Sequence, residues 1–360
     1  MSDPASRTRA SDESGAERLT ALSDPRLHHT SPARGFGLRA GRLNRRPEAL
    51  QAFLHRVPLR RSRRLTPAGE LRAYRSAPSF WQQLSNDMGR PILAAPHHPQ
   101  PWLWPDQGLH AAWLGHSTVL VKADGFLFIT DPVLSSRVGV NLGVMTVGMK
   151  RLVHSALGAH EIPTPDLILL SHAHMDHFDL PSLRDLEHPR TSVITATSTT
   201  DLLRVRRYGS VAEVCWGESC RVGPATIRGL EVNHWGARMR SDTYRGYNGY
   251  LVDVGRFRIM FGGDTAFTQQ FKRVRSARKV DLAIMPIGAY NPWIRVHCSP
   301  EQAWTMANHA GAEFVLPVHH QTFLLGRESP KEPIERLLEA ADPFPERICL
   351  REIGQEFHLD

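Results

Sequence analysis

Cysteine is scarce in this chain of 360 residues: four in all, at Cys215, Cys220, Cys298 and Cys349, with no CxxC pair. That spacing speaks against a cysteine-built metal site and against a disulfide framework. Cys215 and Cys298 stand among apolar or turn residues and are expected to be packed thiols. Long apolar runs are missing too. None approaches the roughly 18–20 residues that span a bilayer, and the longest, Leu282–Tyr290, contains a Pro and a Gly and reads as a buried strand and turn. The start MSDPASRTRASDESG has no apolar core for secretion, and Arg60, Arg61, Arg63 and Arg64 precede a polar stretch, so a cytoplasmic location is the expectation. HExxH is absent, which removes the helical zinc-protease pattern. No internal repeat of fixed period is present.

Charge is present but unevenly placed. The net formal charge is +8, yet residues 1–75 carry 16 Lys+Arg against 7 Asp+Glu, while the remainder carries 28 against 29. The basic character therefore belongs to the N-terminal extension. Such a run could dock on anionic lipid headgroups or nucleic acid, or be a solvated tail without a dedicated partner; it lacks interleaved aromatics and a clear amphipathic pattern. Residues 1–33 read as a disordered basic tail. Residues 34–108 read as an arm packing on the main body, with helical patterns at Pro47–His55, Pro67–Tyr74 and Ser79–Met88.

From Leu109 to the end, residues 109–360, strands alternate with loops and helices. Two β-rich runs, Ala112–Val121 and Phe126–Thr130, meet at Asp124-Gly125, a hairpin signal. Asp166–Ser171 is a short apolar run of the kind buried on both faces. Further runs lie at Ser192–Thr195, Ala225–Val232, Tyr247–Val254, Arg256–Phe261, Asp281–Pro286 and Phe314–Val318. Helices are expected at Pro181–Leu186, Pro300–Ala310 and Lys331–Ala340, the second opened by Ser299 as N-cap with Pro300 at the first helical position. The mixture predicts an α/β sandwich, helices covering sheets.

Nineteen histidines matter less for their number than for their grouping. Ser171-His172-Ala173-His174-Met175-Asp176-His177 comes directly after the buried strand, placing four potential ligands within six residues. Imidazole nitrogen and carboxylate oxygen are ordinary zinc ligands. Alternation lets His172 and His174 reach one ion, and Asp176 and His177 on the following turn face a second. Three further strand ends each deliver a metal-type side chain: His234 in EVNHW, Asp264 in FGGDT and His319 in VLPVHH. A lone histidine at such a place is more often structural; three strand ends together with the HxHxDH loop point to a metal centre.

These blocks resemble the metallo-β-lactamase superfamily. WLGHSTVLV, TDPVLSSR, SHAHMDHFD, HWGAR, GGDTAF, PIGAYNP and HHQTF, in this order over about residues 109–354, are similar to one branch, the N-acyl-phosphatidylethanolamine-hydrolysing phospholipase D family and its bacterial relatives. The resemblance implies the αβ/βα four-layer sandwich, here with an N-terminal extension, and two Zn2+ ions, although N/O donors also accept other divalent metals. It implies that His172, His174 and His234 hold one ion and Asp176, His177 and His319 the other, with Asp264 bridging. Two departures stand out: the position after the last ligand, usually aromatic, is His320, and the residue before His297 is Val296 in place of a polar one.

The implied reaction is hydrolysis of a phosphodiester that releases an alcohol headgroup and leaves a phosphatidate-like acid. Asp176 and His297 are the catalytic candidates, the first to orient the attacking water, the second to stabilise the transition state or protonate the leaving oxygen; His297 could equally be a satisfied loop histidine. His116 and Asp131 are expected to orient ligands by hydrogen bonds. Arg238 could pair with a phosphate oxygen or be a plain surface arginine, and Trp235 and Tyr290 could line an acyl-chain groove or pack in the core. The partners implied are a phospholipid or other phosphodiester, a peripheral membrane contact and a second copy in a homodimer, with no specific nucleic acid. The alternatives are a hydrolase of a soluble phosphoester or lactone, a nucleic-acid-processing nuclease, and a noncatalytic lipid-binding protein.

Overall fold

The computed structural model describes residues 87, 89–141, 146–239, 241–275 and 278–360, all within the compact unit Pro67–Asp360. The tail at 1–33 and the helical patterns expected at Pro47–His55, Pro67–Tyr74 and, Asp87 aside, most of Ser79–Met88 lie outside the described residues.

The strands are β1 (Leu109–Gly115), β2 (Thr118–Ala123), β3 (Phe126–Thr130), β4 (Arg137–Asn141), β5 (Thr146–Lys150), β6 (Leu167–Leu170), β7 (Ser192–Thr195), β8 (Ser210–Glu213), β9 (Ser219–Val222), β10 (Ala225–Leu230), β11 (Gly249–Val254), β12 (Phe257–Phe261), β13 (Val280–Pro286), β14 (Ala312–Val318) and β15 (Glu356–Leu359). They build a seven-stranded sheet, β15-β1-β2-β3-β6-β7-β8, a six-stranded sheet, β14-β13-β12-β11-β10-β9, and the ribbon β4-β5. The α-helices that lie wholly among the described residues are α1 (Leu180–Asp185), α2 (Tyr290–Trp293), α3 (Pro300–Ala310) and α4 (Glu332–Ala340).

Strand alternation makes the layers. Ile259, Leu282, Ile284, Leu316 and Val318 join Phe128, Ile129 and Ile168 of the first sheet in one buried cluster. Their neighbours Met260, Ala283, Met285 and Val315 face the other way and meet Ala303, Met306 and Ala307 of α3 and Ile334 and Leu337 of α4. Period-two alternation with both faces apolar is what a sheet covered on both sides requires. Leu183 and Leu186 close over the first sheet from α1 and its C-cap. Ser299 caps α3 as expected, accepting from Gln302 N, while the Gln302 side chain reaches back to Ser299 N.

Two expectations change. The run Ala112–Val121 is not one strand: it breaks at Gly115-His116, where φ is +113° and +52°, and returns as β2 antiparallel to β1. A β-rich composition does not reveal a two-residue reversal inside it. Cys215 is exposed, whereas Cys298 is buried as expected. Upstream of Leu109, Trp104 is buried, stacks on His110, and its indole N–H donates to Glu356 at 2.6 Å. Among the described residues no helix is long and apolar enough to cross a membrane.

The topology fixes where chemistry can gather. β3, β6 and β7 run parallel in the first sheet and β12, β13 and β14 in the second, while β1 and β10, each two antiparallel steps from β3 and β12, share their sheet's direction. The residues just past the C-terminal ends of β1, β3, β6, β10, β12 and β14 therefore converge on one rim, and they bring His116, Asp131, the HAHMDH loop, His234, Asp264 and His319 with them.

Candidate metal centre

The ligand loop begins where β6 ends. Ser171 N donates to Asp131 Oδ1 at 2.7 Å and Ser171 Oγ to Asp131 Oδ2 at 2.5 Å, tying the start of the loop to the end of β3. His177 N and Phe178 N both donate to the His174 carbonyl, folding His174–His177 into a tight turn. Asp179 then caps α1. From the second sheet, Gly263 allows the close approach: its φ is +56°, and a side chain there would strike the Asn248 carbonyl and the Ser171 Cβ. His319 comes just after β14 with φ +65°, its N–H donating to the His116 carbonyl at 3.0 Å.

The predicted ligands converge. His172 Nε2 lies 2.8 Å from His174 Nδ1, which is 3.4 Å from His234 Nε2. Asp264 Oδ2 stands 3.1 Å from both His177 Nε2 and His319 Nε2 and 3.8 Å from His234 Nε2. Asp176 Oδ2 is 3.8 Å from His177 Nε2 and 3.9 Å from His319 Nε2. Ligand atoms that share one ion through bonds of roughly 2.0–2.2 Å sit about 3–4 Å apart, so these separations fit two adjoining donor sets with Asp264 between them. Donor groupings of metal-binding type are accordingly His172, His174 and His234 on one side and His116, Asp176, His177 and His319 on the other, with Asp131, His172 and His177 sharing a member with each and His234, Asp264 and His297 sharing one with the first.

The outer nitrogens are mostly secured. His177 Nδ1 meets Asp131 Oδ2 at 2.6 Å, His234 Nδ1 the Val296 carbonyl at 2.8 Å, and His172 Nδ1 the Ser171 hydroxyl at 2.8 Å. Asp131, with φ +33°, thus orients His177, and His116, Nε2 3.2 Å from Asp176 Oδ2, orients Asp176 while its ring packs on His319. Ser171 and the Val296 carbonyl are partners that sequence reading missed; Ser171, adjacent to the first ligand, was findable, but a backbone acceptor leaves no signal in the side-chain pattern.

Inner atoms are left without sound hydrogen bonds: His177 Nε2, His319 Nε2 and Asp264 Oδ1 are buried and unpartnered. Burying such polar atoms unpaired costs on the order of 1–3 kcal/mol each, and in this chain His177 Nε2 and His319 Nε2 both face Asp264. That is the signature expected of residues that fit a metal ion.

Electrostatics agree. Burial, reinforced by neighbouring imidazoles, pushes His116 down to about 3 and His172 well below the usual imidazole range. Burial pushes His174 to about 4 and His297 to about 3, the nearby carboxylates opposing. These rings keep their lone pairs free at neutral pH, which ligation requires. Burial also opposes charge on His177, but Asp264, Asp176 and Asp131 prevail and hold it well above its ordinary value. Burial would raise Asp176 and Asp264; the adjacent imidazoles overcome it and hold both well below the carboxylate range.

The remaining candidates divide. His297 joins the cluster, Nδ1 3.8 Å from Asp264 Oδ2 and without a hydrogen bond. Trp235, half exposed, sets its ring edge against His174 at 4.4 Å between centroids and so stands at the mouth of the site. Arg238, expected as a phosphate partner or a plain surface arginine, spends Nη1 on the carbonyls of Ala173 and Phe178, at 3.1 and 2.8 Å, and so braces the ligand loop beside a cleft of about 600 Å³ that Met175 and Met239 also line. Tyr290 does not reach a groove. It is buried, its hydroxyl donates to Glu332 at 2.7 Å, and Arg336 covers its ring, because the packing of α2 on α4 turns it from the cluster.

Comparison with known proteins accords with this geometry. Residues 128–320 match the family model described as a beta-lactamase superfamily domain. An uncharacterized protein of Mycobacterium tuberculosis is 31% identical over 256 residues, covering 69% of this chain and 68% of its own. The Caenorhabditis elegans protein named N-acyl-phosphatidylethanolamine-hydrolyzing phospholipase D 1 is 31% identical over 255 residues, 66% of this chain and 71% of its own. Among solved structures, a metallo hydrolase from the archaeon Ignicoccus hospitalis superposes with a TM-score of 0.52 at 18% identity, over 71% of this chain and 99% of that one. The chain belongs to the metallo-β-lactamase superfamily, as one of its metal-dependent hydrolases.

Proposed function

We propose that this protein is a dinuclear, zinc-type phosphodiesterase of the phospholipase D kind, cleaving N-acyl-phosphatidylethanolamine-like lipids to an N-acylethanolamine and a phosphatidate. The observation that carries the reading is Asp264, whose single oxygen Oδ2 reaches the imidazoles of both donor sets at 3.1–3.8 Å. His172, His174 and His234 would hold one ion, and Asp176, His177 and His319 the other. Ions held there supply Lewis acidity toward a phosphoryl oxygen and a water acidic enough to attack near neutral pH.

The protein's own residues do the rest. Asp176, steadied by His116, accepts a hydrogen bond from the attacking water and sets its direction. His297, neutral near pH 7, presents an unpartnered Nδ1 beside Asp264, placed to donate a hydrogen bond to the oxygen on which charge develops. The water oxygen bonds to phosphorus as the P–O bond to the headgroup breaks, one proton of that water ends on the headgroup oxygen and the other leaves with the phosphatidate.

A lipid is favoured over a soluble ester by the rim. Trp235, Met239, Trp293, Ile294 and Leu324 are large apolar side chains, 43–53% exposed, and all lie on the segments that carry or border His234, His297 and His319. Exposed apolar groups gathered at one mouth suit an acyl chain or a lipid surface. The name of the nematode relative supports the same substrate class. The test is to incubate zinc-loaded protein with vesicles holding N-acylated phosphatidylethanolamine, and in parallel with water-soluble phosphodiesters and lactones. Release of N-acylethanolamine at rates at least tenfold above any soluble ester is expected. Turnover of soluble esters with the lipid untouched would move the assignment to the soluble-phosphoester alternative.

A further inference from the structure

A ligating imidazole uses one nitrogen for the ion and donates its other N–H to a partner that fixes the ring and raises its basicity. His172, His177 and His234 obey that rule with Ser171, Asp131 and the Val296 carbonyl. His319 and His174 do not: His319 Nδ1 and His174 Nε2 are buried and meet no protein partner. Next to His319 is a small pocket, partly open to solvent, admitting about 20 Å³ of water-centre volume, lined by His319, His320, Gly288, Leu325 and Glu328 among others. One water needs roughly 10–15 Å³ on that measure and two to four polar partners. The same wall carries a second orphan, Glu328 Oε2, buried without a hydrogen bond. His320 adds a third polar group, since neither ring nitrogen makes a hydrogen bond of ordinary geometry; its ring is held instead by stacking on Trp113 at 4.6 Å.

The polarities match. His319, with Nε2 turned to the cluster, has a donor at Nδ1, and Glu328 has an acceptor. The loop bearing Glu328 is pinned: Arg327 N donates to the Asn291 carbonyl at 2.8 Å, Glu332 N to Ser329, and Pro330 and Pro333 stiffen the segment that leads into α4. We infer that one ordered water in this cavity joins His319 Nδ1 to Glu328, making Glu328 a positioning residue for the ion held by Asp176, His177 and His319. The inference rests on the dinuclear reading of the centre. Its consequence is asymmetric: Glu328 strengthens one ion and leaves the ion of His172, His174 and His234 alone.

The experiment titrates full-length protein with zinc against a chromophoric chelator and records the absorption spectrum of the cobalt-loaded form, for wild type, Glu328→Gln and Glu328→Ala. Expected are one of two ions bound roughly tenfold or more weakly in Glu328→Ala, a smaller loss in Glu328→Gln, which keeps shape and hydrogen bonding, and a shift in the cobalt bands of that ion. Wild-type binding of two ions, left unchanged by Glu328→Ala, would overturn the role of Glu328 alone. A wild type that binds no ion would overturn the metal centre and this inference with it. Equal weakening of both ions in Glu328→Gln, alongside a lower melting temperature of the metal-free protein, would assign Glu328 to general stability and reject the relay.

Discussion

Histidines gather in two regions of this molecule, and the two behave in opposite ways. In the first, His116, His172, His174, His177, His234, His297 and His319 surround two carboxylates, are nearly all buried, and leave inner nitrogens unpartnered. In the second, at the edge where β15 pairs β1, the rings satisfy one another or nearby groups. His110 Nδ1 meets His358 Nδ1 at 2.8 Å, and His110 Nε2 the Gln107 carbonyl at 2.9 Å. Around them His97 pairs with Glu352 and His98 with Glu161, at 3.0 and 3.2 Å in partly exposed positions. Each edge histidine spends at least one ring nitrogen on such a partner. What separates a site from a collection is therefore unspent bonding capacity held out of water, not the count of imidazoles.

The largest effect that could break this contrast is at its centre. Asp264→Asn should remove the shared carboxylate, drop metal content below two ions per chain by elemental analysis, and cut turnover on the order of 10³-fold or more. Full metal content in that variant would mean that the donors do not act as one unit.

A smaller and sharper effect is expected from pH. In the metal-free protein His177 is held above its ordinary range by Asp264, Asp176 and Asp131, so it keeps its proton through neutral pH. An entering ion must expel that proton, and affinity should fall as pH falls, roughly tenfold per unit for one proton displaced. Calorimetry in buffers of different ionisation enthalpy would count the proton. Binding that stays level from pH 8 to 6 would contradict the assignment of His177 as a ligand.

The smallest effect belongs to the edge. His110→Phe retains the stack on Trp104 but removes the bonds to His358 and Gln107. Stability should drop by about 1–2 kcal/mol in chemical denaturation with metal content unchanged. A loss of metal there would erase the distinction between the two regions.

Much of the centre was legible before any fold was known, for a local reason. HAHMDH places four donors within six residues just after a buried strand, and His234, Asp264 and His319 each come after an apolar run. The Asn248–Ser171–Gly263 approach is likewise written as a glycine at the bend. Five of the second sheet's six strands were recognisable from their apolar runs to within a few residues, β9 being missed, and α3 from its cap and proline. The Gly115-His116 reversal was not, because both sides of the break are equally apolar and the turn is held by long-range bonds from His116 N to Thr322 and from His319 N to the His116 carbonyl.

The residue types, their order and the strand ends that deliver them were thus determined by the sequence itself, since burial periodicity and turn chemistry are properties of neighbours along the chain. Tertiary structure alone decided direction: which nitrogen of each imidazole faces inward, that Arg238 braces the loop, that Tyr290 turns to Glu332, and that Glu328 shares a wall with His319. The physical reason is that a side chain's aim is chosen by whichever partner fills its remaining hydrogen bonds. Those partners come from segments tens of residues away, brought close only when the two sheets stack.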